Sequence, residues 1–155
     1  MIISRRHILA AVLAVILLAL VAGCGGGDGM QRLTGLSPEG VVKTFINAAK
    51  ADKLGEAGLY VSPSTAGNPA AVANFLSGTS GLADLKKANI AAVKVVAQSG
   101  DYAAVLLTLQ QENTFNLTFK PVGLERISGE WYIVDVNQIY QNAKYSVLAE
   151  LLKKI

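Results

Sequence analysis

The sequence predicts an α+β domain, with N-terminal helices packed on one side of a curved four-stranded antiparallel sheet and an additional C-terminal helix. Three observations predict it. Apolar residues recur with helical spacing from Ser37 to Lys87, the period shortens to two from Asn89 onward, and turn signals at Ser99-Gly100-Asp101, Glu112-Asn113 and Ser128-Gly129-Glu130 cut that second half into strands. Helices followed by a strand meander give segregated layers rather than alternating βαβ units.

The first helix is predicted to start at Ser37, a hydroxyl N-cap followed by Pro38 at the first helical position and Glu39 in the first turn. Val41, Val42, Phe45, Ile46 and Ala49 then share one face, with Lys43, Asn47 and Lys50 opposite. Asp52 is placed to cap a short second helix carrying Leu54, Ala57 and Tyr60, which Ser62 and Pro63 stop. A third helix is expected from Pro69 to Leu76, with Val72, Phe75 and Leu76 as its apolar contacts; Gly78 to Gly81 punctuate, and Leu82 to Lys87 add a turn. The strands are expected at Ile90 to Gln98, Tyr102 to Gln111, Thr114 to Ile127 and Trp131 to Val136. Within the third, Pro121 and Gly123 predict a bulge or bend, and the row Thr114, Asn116, Thr118 and Lys120 reads as the solvated face. Asn137 offers a cap for one long final helix, Gln138 to Lys154, in which Ile139, Ala143, Val147 and Leu151 share a stripe.

Ahead of the domain, Arg5 and Arg6 form a basic start, Ile8 to Ala22 form a nearly unbroken apolar core, and Val21-Ala22-Gly23-Cys24 close it. That order is the pattern of a cleaved export signal. A membrane-spanning helix would need roughly 20 apolar residues, and stretching the run that far brings in Gly23 and Gly25 to Gly27, each worth about 1 kcal/mol against helix. The closing residues resemble the bacterial lipobox. The resemblance implies a diacylglycerol on Cys24, cleavage after Gly23 and further acylation of the new amine, and two or three chains hold a protein at a membrane lastingly where one does not. The chain then divides into a signal peptide (1–23), a lipidated cysteine with a Gly-rich tether (24–36) and the α+β domain (37–155). Ser4-Arg5-Arg6-His7-Ile8-Leu9 also resembles a twin-arginine export motif, although the strongly apolar core fits the general secretory route. The expected location is the membrane's outer side, in a periplasm or at the cell exterior. Gly25 stands where, by resemblance to Gram-negative sorting rules, an aspartate would retain the protein in the inner membrane.

Removing the signal changes the charge. From Cys24 onward 12 basic residues face 11 acidic ones, a net charge of +1, which leaves no electrostatic footprint for nucleic acid. With no second cysteine there is no internal disulfide, and the only thiol sits at the lipidation position. The only histidine, His7, leaves with the signal. No His-assisted nucleophile, no His or Cys metal site and no cofactor motif remain, so neither catalytic residue nor cofactor is assigned.

Ser37-Pro38-Glu39 with Val42, Phe45, Ala48 and Ala49, the short helix through Tyr60, and Gly129-Glu130-Trp131 with Ile133 and Val136 resemble small bacterial domains of the nuclear-transport-factor-two-like superfamily. The resemblance implies a cone-shaped sheet around a long helix, a fold that hosts enzymes, small-molecule binders and interaction domains. Trp131, Asp135 and Tyr102 are the candidate cavity residues under that reading. For Trp131 a place in the core is the simpler expectation, and for Asp135 the capping of the following helix. The sequence reading is therefore a membrane-anchored, non-catalytic module that binds an envelope protein; a small apolar ligand in the cone is the alternative, and acid/base chemistry at Asp135 a more remote one.

Overall fold

In the computed structural model the described residues are 30–65, 68–77, 82–112 and 115–155. The expected signal peptide, Cys24, the first glycines of the expected tether, Gly78 to Gly81 and Thr114 lie outside them.

Helix α1 (Pro38–Lys50) begins as the sequence dictates: the Ser37 hydroxyl accepts from the Gly40 amide at 3.2 Å, and Val41, Val42, Phe45, Ile46 and Ala49 are fully buried. Helix α2 (Leu54–Gly58) lacks the expected aspartate cap. Its N-cap is Lys53 with no side-chain bond, while Asp52 takes a positive φ of 61° and pairs with Lys86 at 2.6 Å. The left-handed conformation, tolerated by Asp, turns the chain between the helices. Helix α3 (Pro69–Ser77) is capped by Asn68, whose side chain accepts from the Ala70 amide at 3.0 Å, and helix α4 (Leu82–Lys87) leads into the sheet.

Strands β1 (Ala88–Ser99), β2 (Tyr102–Gln111), β3 (Leu117–Ile127) and β4 (Glu130–Ile133) pair in sequence order as an antiparallel meander. Ser128 and Gly129 both take positive φ, as a two-residue hairpin requires. The expected break at Pro121 and Gly123 is absent. The β2–β3 register runs unbroken through Leu106–Pro121 and Ala104–Gly123, and the irregularities fall on β1 instead, between Ile90 and Ala92 and between Val95 and Ala97. β4 pairs with β3 only from Leu124 onward, so Pro121 lies where β3 has a single neighbour and its missing N–H removes no ladder bond.

Both faces of the sheet are covered. On the inner face Ala103, Val105, Leu107, Leu109, Val122, Leu124, Trp131 and Ile133 join α1, α3 and α4 in the main core. On the outer face Ala104 meets Val134, Ile139, Tyr145, Leu148, Leu151 and Leu152. Double burial explains why β2 reads as an almost continuous apolar run, Tyr102 to Leu109. The single C-terminal helix is in fact broken into α5 (Val136–Gln141), a 3-10 turn (Ala143–Tyr145) and α6 (Ser146–Leu152). Asn142 is extended and its side chain accepts from the Lys144 amide, a local bond that competes with helix continuation. The break resets the stripe: Ala143 is exposed and Val147 is 45 % exposed, whereas Tyr145 and Leu148 are buried. Gly123 permits the close fit, because a Cβ there would stand 2.6 Å from Ile139 Cδ1 and 3.0 Å from Leu148 Cδ2.

Candidate functional site

The polar centre of the domain is Glu125 on the outer face of β3, with its side chain only 4 % exposed. Cross-strand register places it beside Tyr102 and Tyr132. Its carboxylate accepts hydrogen bonds from the Ser62 hydroxyl, from Ser64 Oγ at 2.5 Å, from Tyr145 OH at 2.9 Å and from Lys144 Nζ at 2.7 Å. Burial pushes the carboxyl upward, but the bonds from Lys144, Ser62, Ser64 and Tyr145 outweigh it and hold Glu125 below the usual glutamate range. The Glu125 hydrogen bond raises Lys144 in turn. Ser64 Oγ also lies 3.1 Å from Lys144 Nζ and 2.8 Å from Tyr145 OH. A Ser–Lys–Tyr grouping invites a nucleophile-and-base reading, but a lysine held protonated by a carboxylate has no lone pair with which to take a proton. The cluster instead ties three distant segments together: the loop at 62–64, β3 and the C-terminal 3-10 turn.

A second polar knot lies where the chain enters the domain. Arg32 stacks on Tyr132, its guanidinium carbon 4.4 Å from the ring centroid, and lies 5.2 Å from that of Tyr60. It donates to the Leu59 carbonyl at 3.1 Å, to Glu130 at 2.6 Å and to the Trp131 carbonyl at 2.5 Å. The Leu33 amide donates to Tyr60 OH and the Gly35 amide to Glu130. These contacts reach back into the stretch assigned to the tether, as far as Arg32, and the Met30 side chain packs close to Gly55 of α2 as well.

The three candidate cavity residues do not converge. Trp131 is 7 % exposed in the inner core, with the Arg126 guanidinium 5.3 Å from its ring centroid. Tyr102 is on the outer face, edge-on to Tyr145 with centroids 6.3 Å apart, and donates to the Lys144 carbonyl. Asp135 lies beyond the end of β4 and accepts from the Asn137 amide at 2.9 Å as the N-cap of α5, the place Asn137 was expected to hold. An apolar crevice between α3, β3 and α5, lined by Phe75, Leu76, Val122 and Ile139 among others, encloses about 10 Å³, space for about one water molecule. Among the described residues no three His, Cys, Asp or Glu side chains gather to hold a metal ion, and no described helix is long and apolar enough to cross a membrane.

The remaining feature is a margin. Val122 and Leu124 set the phase of β3, which directs Thr118 and Lys120 toward the inner side, half-buried, with Lys120 Nζ 5.4 Å from the centroid of the Phe75 ring. The expected solvated row is thus turned inward at those two positions, and its apolar counterpart is outside: Leu117 is 49 % and Phe119 58 % exposed, with Phe115 almost wholly so. Here the inner face carries polar side chains, and Lys120 lies against the α3 ring of Phe75. The sequence matches no protein-family model, and no curated protein matches it.

Proposed function

We propose that the chain is a lipid-anchored protein of the cell envelope whose domain, a variant of the nuclear-transport-factor-two-like cone, binds another protein and carries out no catalysis. The observation that carries the binding reading is the exposed apolar row Leu117 and Phe119 beside a strand edge that β4 leaves uncovered; such patches on stable domains mark contact surfaces. The element order, helices and then a four-stranded antiparallel meander, supports the superfamily assignment, and the packing of α5 and α6 on the outer face is where this chain departs from it. The anchoring reading stands on the residues from Arg5 to Cys24.

Mass spectrometry of the membrane-extracted protein tests the anchor. The expected N-terminal peptide begins at an acylated Cys24, and Cys24→Ser leaves the chain unprocessed. An intact Met1 terminus in that fraction overturns the assignment.

A further inference from the structure

We infer that the uncovered half of β3 pairs with the same strand of a second copy, forming a twofold dimer through a continuous sheet. The inference rests on the anchoring reading for the local concentration it needs. Backbone direction supports it first. The Arg126 amide donates to the Asp101 carbonyl on the β2 side, and the Gly123 carbonyl accepts from Val134 on the opposite side. Alternation then turns the N–H and C=O groups of Leu117 and Phe119, and the C=O of Pro121, away from β2, along the stretch that β4 does not reach.

Edge protection is uneven around the sheet. β1 carries two register irregularities and the exposed Lys94, devices that deter strand addition. The outer side of β4 is closed by the chain itself, since Ile133 exchanges bonds of 2.8 Å with Tyr60 and Ser62. The free half of β3 has an unbroken register and no charge from Phe115 to Phe119, and the first ring-locked nitrogen comes at Pro121.

A second copy fits this margin because the margin complements itself. With the axis at Thr118, Leu117 and Phe119 of one copy exchange both bonds with Phe119 and Leu117 of the other, and Pro121 needs only to accept. Asn116 then faces Lys120, so no like charges meet. A twofold axis along the membrane normal also sets both anchor attachments at the same height, which lets both lipids enter one leaflet. The pairing is short, and confinement to a surface supplies the effective concentration that makes a short pairing populated.

At the axis Thr118 meets its mate in a non-hydrogen-bonded pair, with Cα atoms about 4.5 Å apart, inside the range that a disulfide spans. The full-length chain carrying Thr118→Cys is therefore oxidised mildly in its native membranes, with Ser99→Cys on the β1 edge as the comparison. The expected result is a disulfide-linked dimer whose digest contains a peptide joined through position 118, at least tenfold more abundant than for position 99 and lost when Phe119→Asp is added. Circular dichroism of the Phe119→Asp chain checks that it stays folded, and Leu117→Lys serves in its place if it does not. A chain acylated at Cys24 but without the position-118 peptide overturns the dimer, as do equal yields at both positions or a mixed disulfide with a different protein. An unmodified Cys24 alongside that peptide overturns the anchor and leaves the pairing standing.

Discussion

Glu125 shows how one side chain can hold together segments far apart in sequence. Its four donors come from Ser62, Ser64, Lys144 and Tyr145, and one carboxylate accepts from all of them. Glu125→Gln keeps the shape but turns an amide N–H₂ toward donors; because Lys144 is 45 % exposed and can turn to water, the cost at neutral pH is expected at about 1–2 kcal/mol. The folded-state pKa lies below the ordinary glutamate value of about 4.3, so this stabilisation is present above that value and is lost as pH falls through the lower, folded-state one. Urea midpoints of both proteins should therefore converge on acidification; a gap that stays constant with pH would show that the charge of Glu125 contributes nothing. Nothing in the sequence announced the cluster, because its members are linked only by tertiary packing. The available signal was an acid directly after Val122, Gly123 and Leu124, at a position covered on the outer face, where a charge needs partners.

Elements were legible wherever local chemistry decided them. Ser37-Pro38 fixed the start of α1, and Ser99-Gly100-Asp101 and Ser128-Gly129 fixed two hairpins, with β2 ending where its turn signals predict. Failures came where a distant neighbour decides. The phase of β3 follows the core contacts of Val122 and Leu124 rather than the polarity of Thr118 and Lys120, and the long C-terminal helix yields to Asn142 and to the pull of Tyr145 and Leu148 onto the sheet. Gly123 was read as a breaker of the strand, yet its role is to admit those helices. Gly123→Ala is expected to cost about 1–3 kcal/mol by overpacking. Ile139→Val, which removes the methyl 2.6 Å from the added carbon, should recover part of that loss in the double variant. Additive losses in thermal or urea melts would show that the collision is relieved elsewhere.

At the scale of the molecule the sheet is the middle layer of three, and the outer layer is supplied by the chain's last twenty residues, Val136 to Ile155. Their apolar side chains cover the molecule's own β2 and β3, and of the stripe noted in the sequence Ile139 and Leu151 are spent on folding, with Tyr145 and Leu148 buried where Ala143 and Val147 were expected. Truncation before Val136 uncovers Ala104 and the Gly123 surface and strips Glu125 of Lys144 and Tyr145. The expected outcome is a chain that binds an apolar dye and melts without a cooperative transition. A truncated form that still unfolds sharply, with no dye binding, would show the inner layer to be sufficient and free the outer one for another task.

Arg32 carries a mechanical consequence. In the lipid-anchored chain proposed above, the domain's contacts reach back past Leu36 to Arg32, which shortens the tether expected over residues 24–36. A tug arriving from the bilayer is delivered to the guanidinium seated on Tyr132 and Tyr60, and from there across the short β4 into the sheet. Helix α1, next in the chain, lies beyond that seat, so the load enters the domain through Tyr60, Glu130 and Trp131 before it reaches α1.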